Sequence, residues 1–120
     1  MALRPAEAGL LVVHVLLSVG GLLLIKTQAS QLKLAWQRQD TLWPMSGLLA
    51  LGAACYIGGF LIWMIVLARN ELSVVYPIAV GATLALSSIA AAMLLGETLS
   101  LLRLAGIACI MLGVVVIVRS

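Results

Sequence analysis

His14 and Ser18 stand four residues apart in a run otherwise rich in leucine, valine and glycine. On a helix that spacing puts an imidazole and a hydroxyl one turn apart on one face, which Gly21 continues. Further along, Tyr56 and Trp63 are two turns apart, and Tyr76, Thr83 and Ser87 form a stripe at helical spacing. As a set, hydroxyls, one imidazole and aromatic faces predict a shared, mildly polar cavity suited to holding an uncharged polar group such as a sugar. Each serine or threonine taken alone has a plainer reading: in a membrane helix Ser18, Thr83, Ser87 and Ser88 can bond their own backbone one turn back. His14 has the chemistry to relay protons, but a neutral, hydrogen-bonded histidine is the favoured reading. No acid or nucleophile is spaced beside His14, and no cluster of cysteine, histidine and carboxylate has metal-ligand spacing. Neither enzyme activity, nor a metal, nor a cofactor is therefore expected.

The elements that must carry these groups are four apolar runs, roughly 9–29, 45–68, 74–95 and 101–118. Each approaches the ~20 apolar residues needed to cross a bilayer as a helix. With 64% hydrophobic and 9% charged residues and a mean hydropathy of +1.24, the expectation is an all-α membrane protein of four transmembrane helices in one compact domain covering 1–120. Strands are excluded because backbone polar groups in lipid must be satisfied within the segment. The first run reads as a retained helix rather than a signal peptide, being long and lacking a small-residue cleavage site. A net charge of +3, spread along the chain, offers no basic cluster for nucleic acid. Cys55 and Cys109 fall within apolar runs and read as small buried hydrophobes.

The connections follow from the polar breaks. The stretch from Ser30 to Pro44 reads as a long polar loop, flanked by Trp36 and Trp43 at headgroup level. Arg69-Asn70-Glu71 reads as a tight turn, with Ser73 as the N-cap of the third helix and Pro77 near its start. Gly96 to Ser100 closes the third helix with glycine and opens the fourth with a serine cap. Arg4, Arg69 and Arg119 then face one compartment and Lys26, Lys33, Arg38 and Arg103 the other, a nearly even balance that leaves orientation open between dual and fixed insertion. Lys26 can snorkel to the headgroups or hold a lipid phosphate, and Glu97 can serve as a loop contact or a substrate contact. Glu7, Asp40, Glu71 and Glu97 all read as terminal or loop residues, so no carboxylate is expected within a span. A proton-driven exporter of cations would want one there.

Small residues mark expected close helix contacts: Gly20 and Gly21, Gly58 and Gly59, and Gly106 and Gly113 on one face of the fourth helix with Cys109 beside them. The last stripe predicts a dimer seam rather than packing within one bundle.

The stretch 55–120 resembles the small multidrug resistance branch of the drug/metabolite transporter superfamily, which also holds the EamA-like proteins. Cys55-Tyr56 with Phe60 is similar to that branch's second helix, Tyr76 with Gly81 to its third, and Leu95-Gly96-Glu97 with Gly106 and Leu112-Gly113-Val114 to the superfamily's closing motif. The first helix matches through Gly21 and Lys26. Two departures stand out: alignment on Lys26 puts Ser18 where the proton-coupled exporters carry a glutamate, and the ungapped match of the third helix puts Ala79 where they have a tryptophan. A nearer likeness is to the paired four-helix subunits of the aminoarabinose–undecaprenyl phosphate flippase, carried by Leu16-Leu17-Ser18-Val19, Ile62-Trp63, Tyr76-Pro77 and Gly106-Ile107-Ala108-Cys109-Ile110-Met111.

The resemblance implies a small multidrug resistance-like bundle, dimeric through Gly106, Cys109 and Gly113, in a bacterial inner membrane. Together with the polar set it leads to an expected function: a transporter or flippase subunit moving a lipid-linked, phosphate-bearing sugar or similar amphiphile. Ser18, His14, Tyr56, Trp63, Tyr76, Thr83, Ser87 and Glu97 are the expected substrate contacts, with Lys26 for the phosphate. The expected partners are membrane lipid, that substrate, and either a second copy or a similar small subunit. The alternatives are a small multidrug-type exporter of cationic or polar metabolites with another coupling residue, and a non-transporting subunit.

Overall fold

The computed structural model describes residues 3–41 and 43–120, without the side chains of Trp43, Pro44 and Met45. Helix α1 spans Pro5–Arg38, α2 Trp43–Arg69, α3 Leu72–Leu94 and α4 Leu101–Arg119. Each contains a stretch long and apolar enough to cross a membrane, which marks the chain as a multi-pass membrane protein.

Helix α1 is much longer than its apolar run. Its 34 residues rise about 51 Å, well beyond a hydrocarbon core of about 30 Å. The expected loop from Ser30 is therefore helix as far as Arg38. The reason is local: Gln28 to Arg38 contains glutamine, leucine, lysine, alanine and arginine but no glycine or proline, and these residues favour helix whether or not lipid surrounds them. Thr27 and Ser30 turn their hydroxyls back onto the carbonyls of Leu23 and Lys26 (both 2.9 Å). The helix stops where Gln39 enters the left-handed region (φ 57°) and the Asp40 N–H returns to the Ala35 carbonyl at 2.9 Å, a Schellman-type closure. Trp36 lies on the overhang, 72% exposed; the side chain of Trp43 lies outside the described residues.

The other boundaries differ less. Helix α3 begins at Leu72 with Glu71 as an extended N-cap that makes no side-chain bond, so Ser73 lies inside the helix rather than capping it. The preceding helix is closed instead by Asn70, whose amide donates to the Val66 carbonyl at 2.9 Å. Gly96 takes φ +67° after α3, a conformation that a side chain would strain. Ser100 accepts from the Arg103 N–H at the start of α4.

Helices α1 and α2 form the tightest pair, and the contact is made by glycine. A Cβ on Gly21 would lie 2.7 Å from the Gly52 carbonyl and 2.9 Å from the Tyr56 nitrogen; one on Gly59 would lie 2.9 Å from the Ser18 hydroxyl. Without a hydrophobic force between helices in lipid, close backbone approach is what holds such a pair. Gly20 has open space around it, and Gly58 meets only Leu17 at 3.9 Å, so neither makes the expected close contact. Gly81 does, against Val114 of α4.

A small core of Leu11, Val66, Val75 and Ala79 ties α1, α2 and α3 together near the turn at Arg69. The arrangement is flatter than the expected compact bundle, measuring 55 × 35 × 17 Å. Among the described residues, helix α4 packs on α3 alone and has no buried residue. A Cβ on Gly106 or Gly113 would meet nothing within 4 Å among the described residues outside its own turn of helix, and Cys109 is exposed, with Cys55 half-buried; neither cysteine is the buried hydrophobe that its apolar surroundings suggested.

Candidate functional site

Three helices converge on a chain of rings. The His14 and Trp63 centroids are 5.3 Å apart with planes tilted by 31°, and those of Trp63 and Tyr76 are 6.1 Å apart at 53°. These separations suit edge and offset contacts between aromatic faces. His14 is fixed by its Nδ1, which lies 2.8 Å from the Gly59 carbonyl. A carbonyl only accepts, so Nδ1 carries the proton and a neutral ring keeps Nε2 as its acceptor. The absence of a side chain at Gly59 is what lets the imidazole reach that carbonyl. Ser18, buried one turn away, brings its hydroxyl to 3.4 Å from the same nitrogen and buttresses the ring.

In front of the rings runs a side-opening groove of about 390 Å³ lined by His14, Tyr56, Trp63, Tyr76, Thr83 and Ser87. Phe60, Ala79, Val80 and Leu84 complete its walls. From Tyr76 to Ser87 it follows α3 for about 16 Å, roughly half of a hydrocarbon core. Its lining holds no carboxylate, lysine or arginine. Ser87 returns its hydroxyl to the Leu84 carbonyl at 3.1 Å. The phenols of Tyr56 and Tyr76, the Trp63 indole N–H and the Thr83 hydroxyl make no hydrogen bond with another described residue. Four donors in an apolar setting are costly without a partner, and a guest rich in acceptor oxygens would satisfy them.

Six of the nine sequence-derived substrate residues thus meet in one groove. Ser18 stands behind His14 instead of lining it. Lys26 and Glu97 are outside: they form an ion pair that links α1 to the α3–α4 connection. Both side chains are more than a third exposed, so the pair contributes at most about 1 kcal/mol. Glu97→Gln is accordingly expected to change unfolding free energy by no more than about 1 kcal/mol. With Cys55 and Cys109 replaced, a Lys26→Cys/Glu97→Cys chain should be joined intramolecularly by a short bismaleimide, whose spacer takes the place of the two long side chains; failure of that link to form would contradict this placement.

Glu7 is the residue the sequence misjudged. Because α1 starts at Pro5, Glu7 falls in its first turn, and it is only 8% exposed. A carboxylate therefore lies in the first turn of a helix long enough to span the membrane, on the face that carries Leu11 and Ser18, though not among the groove's lining residues. It borders a separate crevice of about 780 Å³ at the Arg69 end, with Arg4, Arg69, Asn70 and Glu71. The signal was available: Glu7, Leu11, His14 and Ser18 repeat at helical spacing, and only the assumption that the helix begins at Gly9 hid it. Gly52, seven residues before Gly59 and opposite Gly21, was legible in the same way.

No family model, no curated protein and no solved structure matches the chain.

Proposed function

We propose that the chain is a subunit of a bacterial inner-membrane transporter that passes a lipid-linked, phosphate-bearing sugar or similar amphiphile across the bilayer. The observation that carries this reading is the side-opening groove with unsatisfied hydroxyl, phenol and indole donors and no charged lining residue. A polyprenyl-type tail stays in lipid while the head exchanges hydrogen bonds along Tyr76, Thr83 and Tyr56. Neutral donors suit sugar hydroxyls and the ether and phosphoryl oxygens of such a head, and their ordinary strength lets it leave again. Lys26 has a different part from the one its sequence position suggests: a phosphate reaching that end competes with the Glu97 carboxylate for the ammonium.

The working unit in this reading is a dimer through α4, with a second copy or with a similar small subunit. In its support, α4 exposes Gly106, Cys109 and Gly113 and has a neighbour on one side only. Gly106→Leu/Gly113→Leu is expected to raise the dimer dissociation constant in detergent about tenfold, the consequence of losing roughly 1.4 kcal/mol of close packing. Unchanged association, measured by crosslinking against dilution, would remove α4 from the seam.

Glu7 favours a second reading, a small multidrug-type exporter that couples through this carboxylate instead of one at position 18. Proteoliposomes separate the two. The first reading requires protein-dependent exposure of a polyprenyl-phosphate sugar head on the opposite leaflet. The second requires proton-driven uptake of a quaternary ammonium dye that is lost in Glu7→Gln. A chain inactive alone but active with a second small membrane protein is half of a heterodimer.

A further inference from the structure

The crevice around Glu7 and the apolar slot below it have the form of a lipid site separate from the groove. The crevice is bordered by Arg4, Glu7, Arg69 and Glu71, two cations and two carboxylates. Leu3 borders it and also lines a slot of about 310 Å³ between α1 and α3. The floor of that slot is Leu11, Val15 and Ala79, all buried, and its rim includes Leu16 and Leu86. From Ala8 to Leu16 the slot follows α1 for about 12 Å, close to the depth of one leaflet's hydrocarbon. Glu7 is more than nine-tenths buried at the junction and has no hydrogen bond or ion pair with another described residue.

We infer that this is a binding site for a zwitterionic phospholipid whose head carries a phosphate and a primary ammonium, with one acyl chain in the slot. Charge complementarity selects the head. Two arginines meet the phosphate, while the Glu7 carboxylate, whose oxygens reach the crevice, and Glu71 would repel a purely anionic lipid and want a cation. An ammonium with N–H donors satisfies Glu7 through charge-assisted hydrogen bonds; a trimethylammonium cannot. The inference does not rest on the function assigned to the groove, which opens elsewhere between α1, α2 and α3.

The test is retention of lipid by the full chain purified in detergent and supplied with dioleoyl phosphatidylethanolamine, phosphatidylcholine or phosphatidylglycerol, read by native mass spectrometry. Phosphatidylethanolamine should bind roughly tenfold tighter than either of the others, as loss of a charge-assisted hydrogen bond or gain of a repulsion implies. Glu7→Gln should abolish the preference over phosphatidylcholine. The exposed-site variant Arg69→Gln, which leaves packing untouched, should weaken both phosphate-bearing zwitterions alike. Ala82→Phe, which fills the slot, should lower retention of all three. Equal or tighter binding of phosphatidylglycerol, or a preference that survives Glu7→Gln, would overturn the inference. So would an Ala82→Phe chain that keeps its lipid but loses self-association, since the slot would then hold a second copy.

Discussion

Gly21→Leu is expected to separate α1 from α2, whereas Gly20→Leu, one residue earlier, is expected to leave the fold intact. The difference lies in what each new side chain meets. At position 21 even a Cβ lands 2.7 Å from the Gly52 carbonyl and 2.9 Å from the Tyr56 nitrogen. Both are backbone atoms of a helix and cannot rotate away, so the helices must move apart. Overpacking of this kind costs about 1–3 kcal/mol when neighbours can adjust, and leucine against two backbone atoms belongs at or above the top of that range. At position 20 nothing stands within 4 Å, and an exposed change of this type alters stability by about 0.5 kcal/mol or less. Unfolding in detergent with increasing denaturant measures both. Similar midpoints for the two variants would contradict the α1–α2 contact. The groove depends on that contact, because His14 reaches the Gly59 carbonyl only while the glycine faces stay together.

The second large effect concerns passage through the groove. Val80 lies on the wall, 46% exposed, between Tyr76 and Thr83 on the same face of α3. Val80→Trp puts an indole into the space in front of the rings without touching the buried core. Transfer of a sugar head past it should fall at least about tenfold, a barrier increase of roughly 1.4 kcal/mol. Val13→Trp is the control. Val13 is also exposed, at 43%, yet borders neither the groove nor the two crevices beside it. It should transfer at the rate of the unaltered chain. His14 lends the groove its fixed geometry through a bond worth about 1 kcal/mol, so blocking the space is expected to do more than weakening the ring's support.

The helices themselves were legible in the sequence because lipid imposes a simple rule: a long apolar run must be helical, and four such runs are present. Their ends were not, because hydropathy reports where a segment leaves lipid and says nothing of where the helix stops. Ser30 to Arg38 is polar enough to read as a loop and composed well enough to remain helix. The same confusion placed Glu7 outside a helix. The stripe Tyr76–Thr83–Ser87 was legible from spacing alone, and so was the pairing of His14 with Ser18. That His14 and Trp63 would meet required the register of α1 on α2, which Gly21, Gly52 and Gly59 set through contacts that no periodicity in one segment reveals. Lys26 and Glu97 meet although 71 residues separate them, and single-sequence reasoning had no means to pair them.

The claim on which the rest depends is that a neutral, donor-lined groove is the route taken by a polar head across the bilayer. Its most direct test is the rate at which a polyprenyl-phosphate sugar head becomes accessible on the far leaflet of proteoliposomes, compared between the unaltered chain, Val80→Trp and Val13→Trp at equal protein density, with the partner subunit added where one is required. The expected result is protein-dependent exposure that Val13→Trp retains and Val80→Trp loses by about tenfold. Exposure that proceeds equally in all three would contradict the account, as the head would then be crossing somewhere other than the groove.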